Sequence, residues 1–115
     1  MNYQWNIFWA DLNPIKGSEQ AGTRPVLVIS EEAVNQALPI VTVLCLTSHK
    51  TGRKIYPVEL LLEPEDSHLP QASIAMAHQI RSISKERLGD LCGFIESADC
   101  RKKIRNVVKL YLDLL

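Results

Sequence analysis

Apolar residues fall in short runs separated by turn residues along most of the chain. Trp5, Ile7 and Trp9 alternate with Asn6, Phe8 and Ala10, which predicts a strand with one face buried and the other partly covered. Asn13-Pro14 ends that strand as a turn dipeptide. Residues 25–29 and 40–46 are short, apolar and β-branched, the pattern of central strands. Residues 58–62, 73–77, 79–83 and 91–95 complete a set of seven predicted strands.

Helical periodicity is confined to short pieces and the end of the chain. Ser30-Glu31-Glu32 can cap a helix that runs to Ala37, with acids in its first turn. Residues 84–88 read as one helical turn before Gly89, and residues 63–70 as an acidic turn region. Cys100, Ile104, Val107, Val108, Tyr111, Leu114 and Leu115 recur at spacings of three and four behind Ser97, so a C-terminal helix is expected. Frequent short strands with one terminal helix predict a mainly β protein, a small barrel or a pair of packed sheets. Residues 15–23 carry Gly17, Ser18 and Gly22 without apolar periodicity and are expected as a loop. No repeat or linker interrupts the chain, and residues 1–115 are expected as one domain.

Composition and charge narrow the class. Hydrophobic residues make up 46% of the 115 residues, a globular balance. The formal net charge is zero, which argues against nonspecific coating of nucleic acid. The sum conceals sorting, because Glu59, Glu63, Glu65 and Asp66 offset a basic loop and a basic tail. Cys45, Cys92 and Cys100 form no C-x-x-C pair, and His49, His68 and His78 have no metal-ligand spacing, so neither disulfides nor a metal or other cofactor is expected. No apolar stretch is long enough for a membrane span. The first five residues lack the features of a signal peptide, and a cytoplasmic protein is expected.

The stretch Gly17-Ser18-Glu19-Gln20-Ala21-Gly22-Thr23-Arg24-Pro25 carries the most chemistry. Its glycines allow positive φ and close approach to a ligand. Pro25 restricts Arg24 to extended backbone, from which a guanidinium can present its fork of donors to a phosphate or a carboxylate. A solvated turn with a surface salt bridge fits the same residues.

From Asp11-Leu12-Asn13-Pro14 through that loop to Val26-Leu27-Val28-Ile29, the sequence closely resembles the signature of the MazF/PemK toxins. The resemblance continues at Leu46-Thr47-Ser48 and at Gln79-Ile80-Arg81-Ser82-Ile83 and spans nearly the whole chain. It implies an SH3-like (CcdB/PemK-type) small barrel with a C-terminal α-helix, assembled as a homodimer. The implied activity is metal-independent, sequence-specific cleavage of single-stranded mRNA, by the toxin half of a toxin–antitoxin pair. Position by position, it places the catalytic arginine at Arg24, the catalytic hydroxyl at Thr47 and the loop acid at Glu19.

These residue types suit that chemistry. Attack of a ribose 2′-OH on the adjacent phosphate builds charge on the nonbridging oxygens, which permanently charged Arg24 can stabilise and the Thr47 hydroxyl can hydrogen-bond. The general base stays open. Glu19 can take the 2′-OH proton if desolvated, orient Arg24 or contact a base. His78 stands where many relatives carry an acid; it can act as base or acid, or pack and stack on RNA. RNA contacts are further expected from Gly17, Ser18, Gln20 and Thr23 of the loop and from Gln79 and Arg81, which share a strand face. Ser48, His49, Lys50, Arg53 and Lys54 form a mobile basic segment suited to backbone phosphates.

Relatives commonly begin the first strand with Gly-Asp or Gly-Glu, where this chain has Trp5-Asn6. Trp5 is expected to add apolar surface at a dimer or antitoxin contact. The alternative class is a CcdB-like toxin, which shares the fold and binds gyrase without cutting RNA. The phosphate-clamp loop together with Thr47 favours the nuclease.

Overall fold

The computed structural model describes residues 1–14, 16–20 and 22–114. Ile15 and Ala21 of the predicted loop and Leu115 of the predicted helix lie outside them. Strands β1 (Asn6–Asp11), β2 (Thr23–Val28), β3 (Ile40–Ser48), β4 (Glu59–Leu62), β5 (Ser73–Ser84) and β6 (Leu88–Phe94) form one antiparallel sheet in the order β4-β5-β3-β2-β1-β6. Helices α1 (Glu32–Ala37), α2 (Pro64–Ser67) and α3 (Ala98–Leu112) and a 3₁₀ turn (Lys85–Arg87) complete the chain.

Alternation along the strands builds two cores. Ile7, Leu27, Leu44, Leu46 and Ala75 point to one face and pack with Trp5, Ile95, Cys100 and Ile104, the last two from α3. Phe8, Ala10, Val26, Val28, Val41, Val43, Cys45, Ile74 and Met76 point to the other and form a second cluster with Leu12 and Ile83. A strand buried on both faces reads as a continuous apolar run, which explains residues 40–46.

The expected small barrel is not closed, since β4 and β6 remain the two edges of the sheet. Register shifts between Ile7, Phe8 and Ala10 divert β6 along β1, and bulges of this kind bend and twist a strand. The gap is filled by α2, which packs against both β4 and β6. His68, just past α2, stacks on Phe94 of β6 with ring centroids 3.8 Å apart.

Other boundaries moved for local reasons. Glu31 rather than Ser30 caps α1, its carboxylate accepting from Val34 N at 2.9 Å. Ser30 instead accepts from the Thr42 amide. The strands predicted at 73–77 and 79–83 are one, because the chain stays extended through a slip in its ladder. Ser97 caps α3 as expected, accepting from Cys100 N at 3.2 Å.

Trp5, expected on the surface, is only 6% exposed. Its backbone has φ 68° and is held by Trp5 N–H to Val28 O and Ile95 N–H to Trp5 O, both 2.8 Å. The guanidinium carbons of Arg101 and Arg105 on α3 lie 5.3 and 4.9 Å from its ring centroid, within reach of cation–π attraction. The start of β1 is thereby packed against α3. No helix among the described residues is long and apolar enough to cross a membrane.

Candidate active site

The second face of the sheet carries the polar residues of interest. Val26 of β2 pairs with Cys45 of β3, and that register carried two residues further sets Arg24 opposite Thr47. Arg24 in turn pairs with Ala10 of β1, and Thr47 with Ile74 of β5. Cross-strand partners share a face, so Arg24 and Thr47 project together just beyond the last β2–β3 pair. Both side chains are partly exposed.

Arg81 joins them from β5, where it pairs with Val43 on the same face. On β3, Cys45 stands between Val43, which faces Arg81, and Thr47. Burial pushes the Cys45 pKa up to about 11, opposed by the charges of Arg81 and Arg24. That opposition places both guanidiniums within electrostatic reach of one buried atom. The cysteine itself stays a neutral thiol, unsuited to nucleophilic work.

Between Arg81 and Met76 the β5 ladder slips. Two steps on β3, from Val43 to Cys45, correspond to five on β5, so Ala77, His78, Gln79 and Ile80 depart from regular pairing. This irregularity re-aims two predicted residues. Gln79 clasps the β1–β2 loop, accepting from Gln20 N at 3.3 Å and donating to Ser18 O at 3.4 Å. His78 turns to β4, its Nε2 lying 2.8 Å from Glu59 Oε2.

Glu59 was legible only as part of an acidic stretch, yet it organises this end of the site. The residue is 5% exposed, and its carboxylate has four donors. Oε1 accepts from Arg53 Nη1 at 2.7 Å and Tyr56 N at 3.0 Å. Oε2 accepts from Arg53 Nη2 at 2.9 Å and from His78. The Arg53 guanidinium chiefly holds the Glu59 pKa down at about 2, against burial and with help from Tyr56 N–H and His78. One signal for it was present in the sequence: a lone acid opening the apolar run Leu60-Leu61-Leu62 must be paired if its strand is buried.

The remaining predicted residues divide. Gly17, Ser18, Glu19 and Thr23 are exposed on the loop, and Glu19 Oε1 accepts from Lys16 N at 2.6 Å. Glu19 is thus open to solvent and bonded within its own loop. Gly17 and Gly22 have φ of 56° and 75°, conformations that glycine adopts without strain. The segment expected to be mobile is tied down at several points. His49 N donates to Ala72 O, Arg53 N to Lys50 O, and the Arg53 and Lys54 cations lie over the Tyr56 ring. Both Arg53 Nη atoms are taken by Glu59, whereas Ser48, Lys50 and Lys54 are exposed. Gln20 Oε1 and Arg81 Nη1 are buried with no hydrogen-bond partner. Such atoms are rare enough to need a reason, and these two flank the Gln79 clasp.

The chain as a whole is similar to known proteins. The family described as PemK-like, MazF-like toxin of type II toxin–antitoxin system matches residues 3–112. An endoribonuclease MazF of Staphylococcus saprophyticus is 31% identical over 109 residues, covering 95% of this chain and 89% of that protein. The crystal structure of MazF from Deinococcus radiodurans matches with a TM-score of 0.79 at 26% identity, over 97% of this chain and 96% of that one. A mycobacterial endoribonuclease in complex with its cognate antitoxin matches with a TM-score of 0.80 at 23% identity, over 100% and 98%.

Proposed function

The chain belongs to the PemK-like, MazF-like toxin family of type II toxin–antitoxin systems, and from that premise we propose that it cleaves single-stranded RNA at specific sequences by a metal-independent route. As an endoribonuclease of this family it has a phosphodiester for substrate. The ribose 2′-oxygen attacks the adjacent phosphorus, the P–O5′ bond breaks, and the products carry a 2′,3′-cyclic phosphate and a 5′-hydroxyl.

Arg24 stabilises the charge that develops on the nonbridging oxygens, and the Thr47 hydroxyl donates to the same phosphate. The observation that supports this reading is the strand register, since both residues project from one face just past the last β2–β3 pair. Glu19, Gly17, Ser18, Gln20 and Thr23 on the loop, with Gln79 and Arg81 beside it, contact the RNA around the scissile phosphate. Gln20 Oε1 and Arg81 Nη1 lie unpartnered beneath the surface, and a shift of the loop on binding would turn an acceptor and a donor toward base edges or phosphate. Ser48, His49, Lys50 and Lys54 extend the cationic track. Arg53 contributes through charge while Glu59 holds its donors.

The protein acts in the cytoplasm, as a homodimer, until its cognate antitoxin binds. Leu110, Tyr111, Leu112 and Leu114 at the end of α3 are exposed and supply apolar surface for such assembly. The test is a labelled single-stranded RNA incubated with the protein in EDTA. Cleavage with cyclic phosphate ends is expected, and Arg24→Ala should lower the single-turnover rate by about a thousandfold. RNA left intact at enzyme excess would refute the proposal.

A further inference from the structure

His78 and Glu59 form a carboxylate–imidazole pair whose geometry fixes more than a contact. An ionised carboxylate can only accept hydrogen bonds, at about four lone-pair sites. All of those on Glu59 are used, by Arg53 Nη1 and Nη2, Tyr56 N and His78 Nε2. Nε2 of His78 must therefore carry the proton. In the neutral ring the lone pair then resides on Nδ1, for which no protein partner exists among the described residues. The imidazole side chain is one-third exposed, and the carboxylate is fully buried.

The position is also constructed. The register slip of β5 lifts His78 out of the ladder, between Met76 and Arg81. Met76 pairs with both Cys45 and Glu59, so the carboxylate that holds the imidazole stands in line with Cys45 across the sheet. Its neighbour Gln79 fastens the β1–β2 loop to the same strand. Glu19, the competing acid, points into solvent and its own loop.

We propose that His78 is the proton acceptor of the RNA-cleavage reaction and that Glu59 is the positioning residue that fixes its tautomer and stabilises the imidazolium. The assignment rests on the nuclease reading above. As the 2′-oxygen bonds to phosphorus, its proton passes to Nδ1. As the P–O5′ bond breaks, the imidazolium returns that proton through water to the departing 5′-oxygen, leaving the ring neutral. No electron is transferred and no further reactant is needed. Glu59 stays ionised throughout, the role that a buried acid plays behind a histidine base in hydrolases.

The experiment uses the full chain, a labelled single-stranded transcript cut in EDTA, and the same transcript fully 2′-O-methylated as a binding probe. His78→Ala should cleave about a hundredfold more slowly than wild type while binding the methylated RNA equally well. Millimolar imidazole should restore most of the loss in His78→Ala and none in Arg24→Ala. Nitrogen NMR shifts of the wild-type His78 ring should report protonated Nε2, and Glu59→Gln should change them and slow cleavage. Wild-type cleavage by His78→Ala, a loss that imidazole leaves untouched, or an Nδ1-protonated ring would each overturn the assignment. Intact RNA with wild-type protein would instead remove the nuclease reading, and this assignment with it.

Discussion

The buried Glu59 carboxylate makes stability depend on pH in a calculable way. Its pKa falls from 4.5 to about 2 on folding, chiefly because Arg53 donates to both oxygens. At 1.36 kcal/mol per unit, that difference is worth about 3 kcal/mol. The folded-state value is the lower one, so the contribution is complete above the unfolded value of 4.5 and disappears as pH falls toward about 2. A loss of this size is a large part of the stability of an ordinary domain. The perturbation is Glu59→Gln, which keeps the shape and cannot titrate. The variant should be less stable at neutral pH, because the Arg53 guanidinium loses its counter-charge. Urea unfolding followed by tryptophan fluorescence across this pH range should show wild type losing about 3 kcal/mol more than the variant, so that the curves converge in acid. Parallel curves would show that the carboxylate is not held ionised, and the tautomer argument for His78 would fall with it.

Two further substitutions probe the frame of the site. Gly93→Ala would set a Cβ against the Ser67 carbonyl oxygen and 3.2 Å from the Ile7 and Leu69 methyl groups. It should cost about 1–3 kcal/mol and lower Tm by several degrees in a thermal melt. Gln79→Ala removes both hydrogen bonds from β5 to the loop; at about 1 kcal/mol, amide exchange at Gln20 should quicken about fivefold with the fold intact. Unchanged protection at Gln20 would show that the clasp does not order the loop.

Strand existence was legible because both faces of the sheet are buried and the apolar runs are dense. Residues 40–46 show this directly, with Val41, Val43 and Cys45 in one core and Leu44 and Leu46 in the other. Arg24, Thr47 and the loop were legible from the family signature. What the chain could not disclose is which acid meets which base. Glu59 lies six residues from Arg53 and nineteen from His78, and only the pairing of β4 with β5 and the slip beside Met76 bring them together. The fate of Trp5 was hidden for the same reason, since its covering arginines come from the far end of the sequence. Closure of the barrel was overestimated because α2 occupies the gap between the edge strands, and a four-residue helix leaves little periodic trace in sequence.

The pairing of the first strand with the last has a consequence for synthesis. β1 is flanked by β2 on one side and by β6 on the other, and Trp5 is sealed by α3. A nascent chain that has reached Ser84 holds every residue of the proposed catalytic face, yet Trp5 still lacks Ile95 and the two α3 arginines that cover it. Loop closure across such a separation is a late and entropically costly step. During synthesis, therefore, the fold is completed only after α3 has emerged, later than every residue of the proposed catalytic face.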